Sequence, residues 1–279
     1  VRPKKSAELY RKVWTEWGSP LLYNTFLQAG LLRKKLQDKF TVDVAMRYGD
    51  PSIQSKMIEY KNTGFDNIVF LPMFPQYSTT TTKSIANQIA RIVKKEKIFM
   101  DDKNISLIKD FHDHDGYINA SVLHIQSFQK INGKPSKLLL SFHGIPKSYV
   151  GDDEPYQSQC IKTAELIAEK LNLSDNQYEI VFQSRFGKAE WIQPYLAERL
   201  EKLPNEGVKD IQVYCPGFSS DCLETIEEIG EESHDLFMES GGENYKFIPC
   251  LNGDDVFIEF LESLIRNYKK KRINFRDLL

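Results

Sequence analysis

The sequence predicts an α/β protein in which parallel sheets are flanked by helices. Short apolar segments alternate along the chain with longer amphipathic segments, and this alternation is typical of βαβ units. The segment 67–74 (NIVFLPMF) is apolar without a polar alternation, as expected for a parallel strand that is buried on both faces. A hydrophobic content of 41% and a charged content of 27% fit an ordinary soluble protein.

Each element is predicted from its periodicity and from the turn residues that bound it. Apolar residues at helical spacing, such as Leu27 and Leu31, indicate helices, whereas short apolar runs that end in Gly or Pro indicate strands. Helices are predicted at 4–17, 21–40, 50–62, 115–130, 156–171, 189–203 and 255–269, with a Thr-rich helix that ends at 95. Strands are predicted at 41–46, 67–74, 138–142, 178–183, 211–215 and 246–250, with a short strand near 105.

Two pairs of matching segments indicate two related lobes. The tripeptide RYG at 47–49 is echoed by RFG at 185–187, and each follows a predicted strand. The tripeptide PMF at 72–74 is echoed by PGF at 216–218. We therefore expect an amino-terminal lobe at 1–130 and a carboxyl-terminal lobe at 131–279. The second lobe has a further strand before its RFG tripeptide and the first has none. The sequence thus predicts that the first strand and helix are missing from the amino-terminal lobe.

An acidic helix is predicted after the turn at 216–217. Glu224, Glu228 and Glu232 repeat at a spacing of four, which places three carboxylates in one row. Asp221 and Glu224 form a D-x-x-E pattern that predicts a capping box. No Lys or Arg occurs between 210 and 245. A divalent cation that balances the glutamates and a solvated acidic surface are both open interpretations.

His143 ends a predicted strand and opens a Gly-Ile-Pro turn. Ligands of open parallel sheets bind outside the carboxyl ends of the strands, so His143 and the acidic helix are candidates for one site. His112 and His114 lie in the polar segment FHDHDG. We expect them to be exposed loop residues, with metal binding as the alternative.

Four long segments resemble ferrochelatases: LPMFPQYSTTTTKSI, SFHGIPKSYVGDDEPYQSQC, FQSRFGKAEW and CPGFSSDCLETIEEI. The resemblance extends over essentially the whole chain and implies two Rossmann-like lobes of the chelatase type. It implies an enzyme that inserts Fe²⁺, its metal substrate, into a porphyrin in heme biosynthesis. Protoporphyrin IX is the favoured porphyrin, and coproporphyrin III stays open.

The resemblance also implies residue roles. His143 matches a metal ligand or pyrrole-proton acceptor, and Glu224 matches the carboxylate that faces it. Glu228 and Glu232 match an acidic row that leads metal or protons to the site. Cys222 stands where many relatives have a second histidine. The implied porphyrin-binding residues are Arg47, Tyr48, Phe74, Tyr77, Trp191 and Ser19.

The cysteines carry the most speculative prediction. The chain has four and no secretion signal, so the thiols are expected to be reduced. A [2Fe–2S] cluster needs four ligands, and some relatives carry one. We predict such a cluster, with buried free thiols as the alternative. Its ligands are Cys160, Cys215, Cys222 and Cys250.

Three other functions stay open at this stage. They are a cobalt or nickel chelatase, a non-catalytic porphyrin or heme carrier, and a two-lobed binding protein for small solutes. A net charge of −2 gives no reason to expect nucleic acid as a partner. We expect a cytoplasmic protein, with a peripheral membrane contact through its basic carboxyl-terminal end as an open question. The oligomeric state is not predicted.

Overall fold

A computed structural model describes residues 2–63, 65, 67–98, 105–151, 153–268 and 272–274. The helices are α1 (Arg2–Val13), α2 (Pro20–Leu36), α3 (Ile53–Thr63), α4 (Thr82–Glu96), α5 (Asp115–Asn132), α6 (Tyr156–Lys170), α7 (Leu196–Lys202), α8 (Leu223–Ile226), α9 (Ser233–Glu239) and α10 (Asp255–Arg266). The strands are β1 (Ile68–Phe70), β2 (Ile105–Ile108), β3 (Lys137–His143), β4 (Tyr178–Gln183), β5 (Asp210–Tyr214), β6 (Asn244–Ile248) and β7 (Arg272–Asn274).

The larger sheet has four parallel strands in the order β4-β3-β5-β6. Alternate side chains of β3 point to opposite faces. Leu138 and Leu140 belong to the core under α5 and α6, whereas Leu139 belongs to the core under α7 and α9. The chain passes from β3 outward to β4 and then returns to the other side of β3. This reversal creates a switch point between β3 and β5, where ligands of such sheets bind.

The smaller sheet has the order β1-β2-β7. Strands β1 and β2 are parallel, and β7 pairs antiparallel with β2. The chain therefore returns to the first sheet after α10, which packs against α2 and α5. The predicted basic end lies largely outside the described residues. Among the described helices, none is long and apolar enough to cross a membrane.

The strand predicted at 41–46 is wrong. In the structure the segment forms one isolated bridge, between Met46 and Ser52, and pairs with no described strand. The carbonyl oxygen of Val42 accepts a hydrogen bond from Nη2 of Arg33, at 2.7 Å. A side chain thus occupies the position of a neighbouring strand. The composition of this segment predicted a strand, but composition says nothing about a pairing partner.

The helix predicted at 189–203 begins later, at Leu196. The preceding residues pair instead with the turn after β3. The N–H of Ile192 donates to the carbonyl oxygen of Ile145 at 3.0 Å, and Trp191 forms a bridge with Pro146. These contacts engage backbone groups that a helix would have to use itself. The strand predicted at 67–74 is likewise shorter, since β1 ends at Phe70.

Candidate active site

His143 is the last residue of β3 and pairs with Gln183 of β4. Its Nδ1 lies 2.6 Å from the carbonyl oxygen of Gly144. A carbonyl oxygen only accepts hydrogen bonds, so Nδ1 carries the proton and Nε2 of the neutral ring keeps a lone pair. The hydroxyl of Tyr156 donates to the main-chain oxygen of His143 at 2.9 Å. The half-buried imidazole is therefore held through its backbone and through one ring nitrogen.

Trp191 covers one side of this histidine. Its ring centroid lies 6.4 Å from that of His143, and the side chain is only 4% exposed. Phe186 packs edge-on against Trp191 with ring centroids 4.9 Å apart. Phe186 itself is largely exposed. The aromatic surface beside His143 thus extends from the interior to solvent.

The acidic helix is interrupted. A single turn of α8 is followed by a π-helical turn at Glu228–Glu232 and then by α9. In this turn the N–H of Glu232 donates to the carbonyl oxygen of Glu227, five residues back, at 2.9 Å. The wider turn changes the angular relation among the three predicted glutamates, which were placed in one row on the assumption of a regular α-helix.

The predicted capping box is also wrong. The N-cap of α8 is Cys222, whose N–H donates to Oγ1 of Thr225 at 3.0 Å. Asp221 instead links the start of the acidic helix to the segment that follows β6. Its carboxylate accepts hydrogen bonds from the N–H of Cys250 at 3.1 Å, from Nδ2 of Asn252 at 2.6 Å and from the hydroxyl of Thr225 at 3.0 Å. Asp221 therefore anchors the start of the acidic helix and leaves Glu224 available for another role.

Glu228 is bound at the carboxyl end of β4. Oε1 accepts from the N–H of Ser184 at 2.6 Å, and Oε2 accepts from the hydroxyl of Ser184 at 2.6 Å. Burial raises the pKa of Glu228, while the two Ser184 donors and the nearby His143 lower it. Gln183, which pairs with His143 in the sheet, also donates from Nε2 to Oε2 of Glu228 at 3.4 Å, and this places Glu228 near His143.

The other glutamates differ in exposure. Glu224 is half-buried, and its main-chain oxygen accepts from Nε2 of Gln183 at 3.0 Å. Burial and the charge of Glu224 raise the pKa of Tyr10, which places α1 beside this part of the site. Glu232 is exposed. The facing geometry of His143 and Glu224 stays a prediction.

Lys12 partly balances the acidic helix. Its Nζ lies 3.6 Å from a carboxylate oxygen of Glu227 and 3.8 Å from one of Glu231. Lys12 is distant from these glutamates along the chain, so the segment 210–245 gives no sign of it. One lysine offsets part of the charge of these two glutamates.

A group of three potential metal ligands lies after β2. The ligand atoms of Asp110, His112 and Asp113 all lie within 4.8 Å of one another, and this is the one such group in the described part of the chain. Nδ1 of His112 lies 3.0 Å from Oδ1 of Asp110, and the histidine is half-buried rather than exposed. His114 accepts from the N–H of Gly116 at 3.1 Å and caps α5. Both histidines thus have structural contacts.

The predicted porphyrin-binding residues differ in their burial and in their contacts. Nε of Arg47 donates to the hydroxyl of Ser84 at 3.1 Å, and its guanidinium lies 4.5 Å from the ring centroid of the exposed Tyr48. Tyr77 is buried and Phe74 is exposed. The hydroxyl of Ser19 caps α2, which is a structural use of that side chain. The porphyrin roles of these residues stay predictions.

All four cysteines are free and buried. Burial, together with the charge of Asp221, raises the pKa of both Cys215 and Cys250. These two belong to the core under α7 and α9, whereas Cys160 belongs to the core on the opposite face of the larger sheet. The thiol of Cys222 influences both Cys215 and Cys250. Three thiols thus gather near Asp221, and the fourth lies beyond the sheet.

Sequence reasoning missed Ser184, Gln183 and Tyr156. Ser184 and Gln183 were predicted to lie at a strand end, which is where ligands bind, but neither residue type signals chemistry by itself. Tyr156 was placed at the start of a helix. Its contact with the backbone of His143 depends on tertiary structure that the sequence does not display.

Two solved structures of SirB have a similar fold. The structure of SirB from Bacillus subtilis with Fe³⁺ matches with a TM-score of 0.59 at 16% identity, covering 90% of this chain and 91% of that one. The cobalt complex of sirohydrochlorin chelatase SirB from Bacillus subtilis subspecies spizizenii matches with a TM-score of 0.58 at 12% identity, covering 88% and 89%. The fold is therefore the chelatase-like α/β fold.

Sequence comparison narrows this class to one family. The family model for ferrochelatase matches residues 1–269. The ferrochelatase of Marinobacter nauticus is 45% identical over 96% of this chain and 72% of its own length. Ferrochelatase 1 of Shewanella oneidensis is 43% identical over 98% of this chain and 82% of its own length. The chain belongs to the ferrochelatase family.

Proposed function

We propose that the protein inserts Fe²⁺ into a porphyrin, with protoporphyrin IX as the favoured substrate, and that His143 accepts the pyrrole protons. The observation that carries this proposal is the contact between Nδ1 of His143 and the oxygen of Gly144. It leaves Nε2 as the basic atom of a ring fixed at the switch point of the sheet. Metallation releases two pyrrole protons, and a neutral imidazole accepts a proton near neutral pH.

We assign the binding and delivery of the metal to the acidic residues. Glu232 is exposed, whereas Glu228 and Glu224 are half-buried, so carboxylates extend from the surface toward the histidine. Fe²⁺ binds carboxylate oxygen and imidazole nitrogen. We assign Glu228 and Glu232 to the route of the metal and Glu224, with His143, to the place where the metal meets the porphyrin.

The aromatic residues supply the porphyrin side. Trp191 lies against His143 and forms part of the wall, together with Tyr77 and Phe74 as the sequence predicts. Tyr48 is exposed, and the half-buried Arg47 lies over its ring. A planar macrocycle would pack against these aromatic side chains because its faces are large and apolar.

The four cysteines do not fit a [2Fe–2S] cluster in this structure. Three of them gather near Asp221, but Cys160 packs on the other face of the larger sheet. We assign no step to a cluster. Anaerobically purified protein should be colourless and contain no labile sulfide, and two sulfides per chain would contradict this assignment.

A cytoplasmic location and a peripheral membrane contact stay proposals from the sequence. Binding of the full chain to vesicles of anionic phospholipid, measured by co-sedimentation in low and high salt, tests the membrane contact. Salt-sensitive binding is the result expected for a basic carboxyl-terminal end.

Anaerobic metal insertion followed by absorbance tests the proposed function. The protein should insert Fe²⁺ into protoporphyrin IX faster than into coproporphyrin III. With protoporphyrin IX, it should insert Fe²⁺ faster than Co²⁺ or Ni²⁺. Glu224→Gln should nearly abolish turnover, whereas Glu232→Gln should reduce it mildly because Glu232 lies farthest along the acidic row. Glu201→Gln, at an exposed position of α7, is the matched control. Wild-type protein that metallates neither porphyrin would overturn the proposal.

A further inference from the structure

Ser184 has an unusual backbone conformation. It follows β4 directly and has a φ angle of 64°, in the left-handed region that non-glycine residues seldom occupy. Such conformations are unfavourable and persist where surrounding contacts impose them, most often at functional sites. The contacts of Ser184 therefore indicate what the conformation accomplishes.

Both hydrogen-bond donors of Ser184 bind the same carboxylate. Its N–H reaches Oε1 of Glu228 and its hydroxyl reaches Oε2, each at 2.6 Å. Binding both oxygens at once fixes the plane of the carboxylate, as a bidentate partner does. One residue thus determines both the position and the orientation of Glu228.

Gln183 supports the same arrangement. Its Oε1 accepts from the hydroxyl of Ser141 at 2.8 Å and from the thiol of Cys215 at 3.5 Å. Because these donors bind Oε1, the amide nitrogen points toward the acidic helix. It donates there to the main-chain oxygen of Glu224 at 3.0 Å and to Oε2 of Glu228 at 3.4 Å. The end of β4 and the start of the acidic helix are consequently joined at four points.

The carboxylate lies in the π-helical turn Glu228–Glu232. Single π-helical turns are uncommon and frequently occur at functional sites. The left-handed residue on β4 and the π-helical turn are two rare backbone features, and the hydrogen bonds between Ser184 and Glu228 connect them. Strand-to-helix anchoring alone does not require a carboxylate that is bound through both oxygens.

We propose that Ser184 is a positioning residue for metal delivery, which orients the Glu228 carboxylate so that Fe²⁺ passes from it toward His143. The inference rests on the proposed function for the destination of the metal. It concerns the Fe²⁺ half of the reaction and not the porphyrin half, because Ser184 acts through Glu228. The expected consequence is a selective effect on the metal.

Two substitutions separate the hydroxyl from the backbone. Ser184→Ala removes the hydroxyl and keeps the left-handed strain, whereas Ser184→Gly removes the hydroxyl and relieves the strain. Both should raise KM for Fe²⁺ about tenfold, the effect of losing one hydrogen bond to a charged group. Both should leave KM for the porphyrin unchanged. Ser184→Gly should melt at a higher temperature than Ser184→Ala. Ser174→Ala, at an exposed serine, is the matched control.

Anaerobic calorimetry with Fe²⁺ alone provides a readout that does not depend on turnover. Ser184→Ala should weaken Fe²⁺ binding about tenfold, and the double variant with Glu228→Gln should be no weaker than Glu228→Gln alone, since both act through one carboxylate. If wild-type protein binds Fe²⁺ in this Ser184-dependent way but forms no metalloporphyrin, the proposed function fails and the inference stands. The inference would be overturned if Ser184→Ala kept the Fe²⁺ affinity and the KM for Fe²⁺ of the wild-type protein. It would also be overturned if the wild-type protein did not bind Fe²⁺.

Discussion

Gly144 determines how closely the aromatic wall approaches His143. A Cβ atom added at Gly144 would lie 2.9 Å from the carbonyl oxygen of Gln183 and 3.1 Å from Cε3 of Trp191. The first neighbour is backbone and cannot move without disturbing the pairing of β3 with β4. The N–H of Gly144 also donates to that same carbonyl oxygen at 2.8 Å. The glycine therefore permits the packing that holds His143 in place.

Gly144→Ala should lower the free energy of unfolding by about 1–3 kcal/mol, the usual cost of overpacking. It should also reduce turnover, because relief of the clash moves Trp191 or the His143 turn. Urea unfolding and the metallation assay measure the two effects. Gly151→Ala is the matched control, since a Cβ there meets nothing within 4 Å. Equal stability of the two variants would contradict this account of the turn.

At the residue scale, the sequence identified His143 because it ends a strand and opens a turn. It did not identify Ser184, because a left-handed φ angle has no sequence signal at a serine. Its partner Glu228 was identified only as a member of an acidic row. A serine becomes informative here only when the tertiary structure places both of its donors on one carboxylate.

At the element scale, α10 depends on its first residues. Asp254 caps the helix, and its side chain accepts from the N–H groups of Val256 at 2.9 Å and Phe257 at 3.2 Å. His124, whose Nδ1 lies 3.6 Å from Oδ2 of Asp254, is the main cause that holds the pKa of Asp254 below its ordinary value of 3.8. Because the folded pKa is the lower one, the ionised carboxylate stabilises the fold above the unfolded pKa. That contribution is lost as the pH falls through the folded pKa.

Asp254→Asn should keep the cap and remove this pH dependence. At pH 7 the free energy of unfolding should fall by about 0.5–1 kcal/mol through the lost charge interaction. At a pH below the folded pKa the variant and wild type should be equally stable. Urea unfolding at both pH values makes the comparison, with the neighbouring Asp255→Asn as control. A stability gap that is identical at the two pH values would argue against this role.

Other elements show where sequence patterns are insufficient. A spacing of four residues predicted one straight acidic helix, and the π-helical turn replaced it with two short helices joined by a wider turn. The alternating segment 41–46 has the composition of a strand but no described partner strand. Periodicity reports which face of an element is buried. It does not report how the backbone groups of that element are paired.

At the scale of the whole molecule, Glu154 joins the two halves of the fold. It is only 4% exposed, and its Oε2 accepts from the hydroxyl of Ser78 at 3.1 Å and from the N–H of Thr79 at 2.7 Å. Oε1 of Gln159 accepts from the N–H of Tyr77 at 2.6 Å. The segment that carries Tyr77 is thereby fixed to the segment that leads into α6. These contacts set the separation between Tyr77 and the His143 side of the fold.

Glu154→Gln should lower the free energy of unfolding by about 1–3 kcal/mol, because buried donors lose a charged acceptor. Its melting temperature and urea midpoint measure the effect. Glu190→Gln is the matched control, since the pair between Lys147 and Glu190 is exposed at 2.9 Å and such pairs contribute at most about 1 kcal/mol. If the two variants lose the same stability, Glu154 does not join the halves of the fold.

The overall architecture followed from the sequence more fully than the site did. Alternating strands and helices sufficed to predict parallel sheets, because parallel strands need helical crossovers. The boundary between lobes at 130 and 131 stays a prediction, and β7 shows that the chain end returns to the first sheet. The role of Glu154 was not predictable, since its partners lie more than seventy residues away.

The most direct test of the central claim is the rate of anaerobic Fe²⁺ insertion into protoporphyrin IX by His143→Ala. Removal of the proton acceptor should reduce turnover by about a hundredfold or more, with an unchanged circular dichroism spectrum. His234→Ala, at a surface histidine of α9 that is 44% exposed, should metallate at the wild-type rate. Near-normal turnover of His143→Ala at saturating Fe²⁺ would contradict the assignment of His143 as the group that accepts the pyrrole protons.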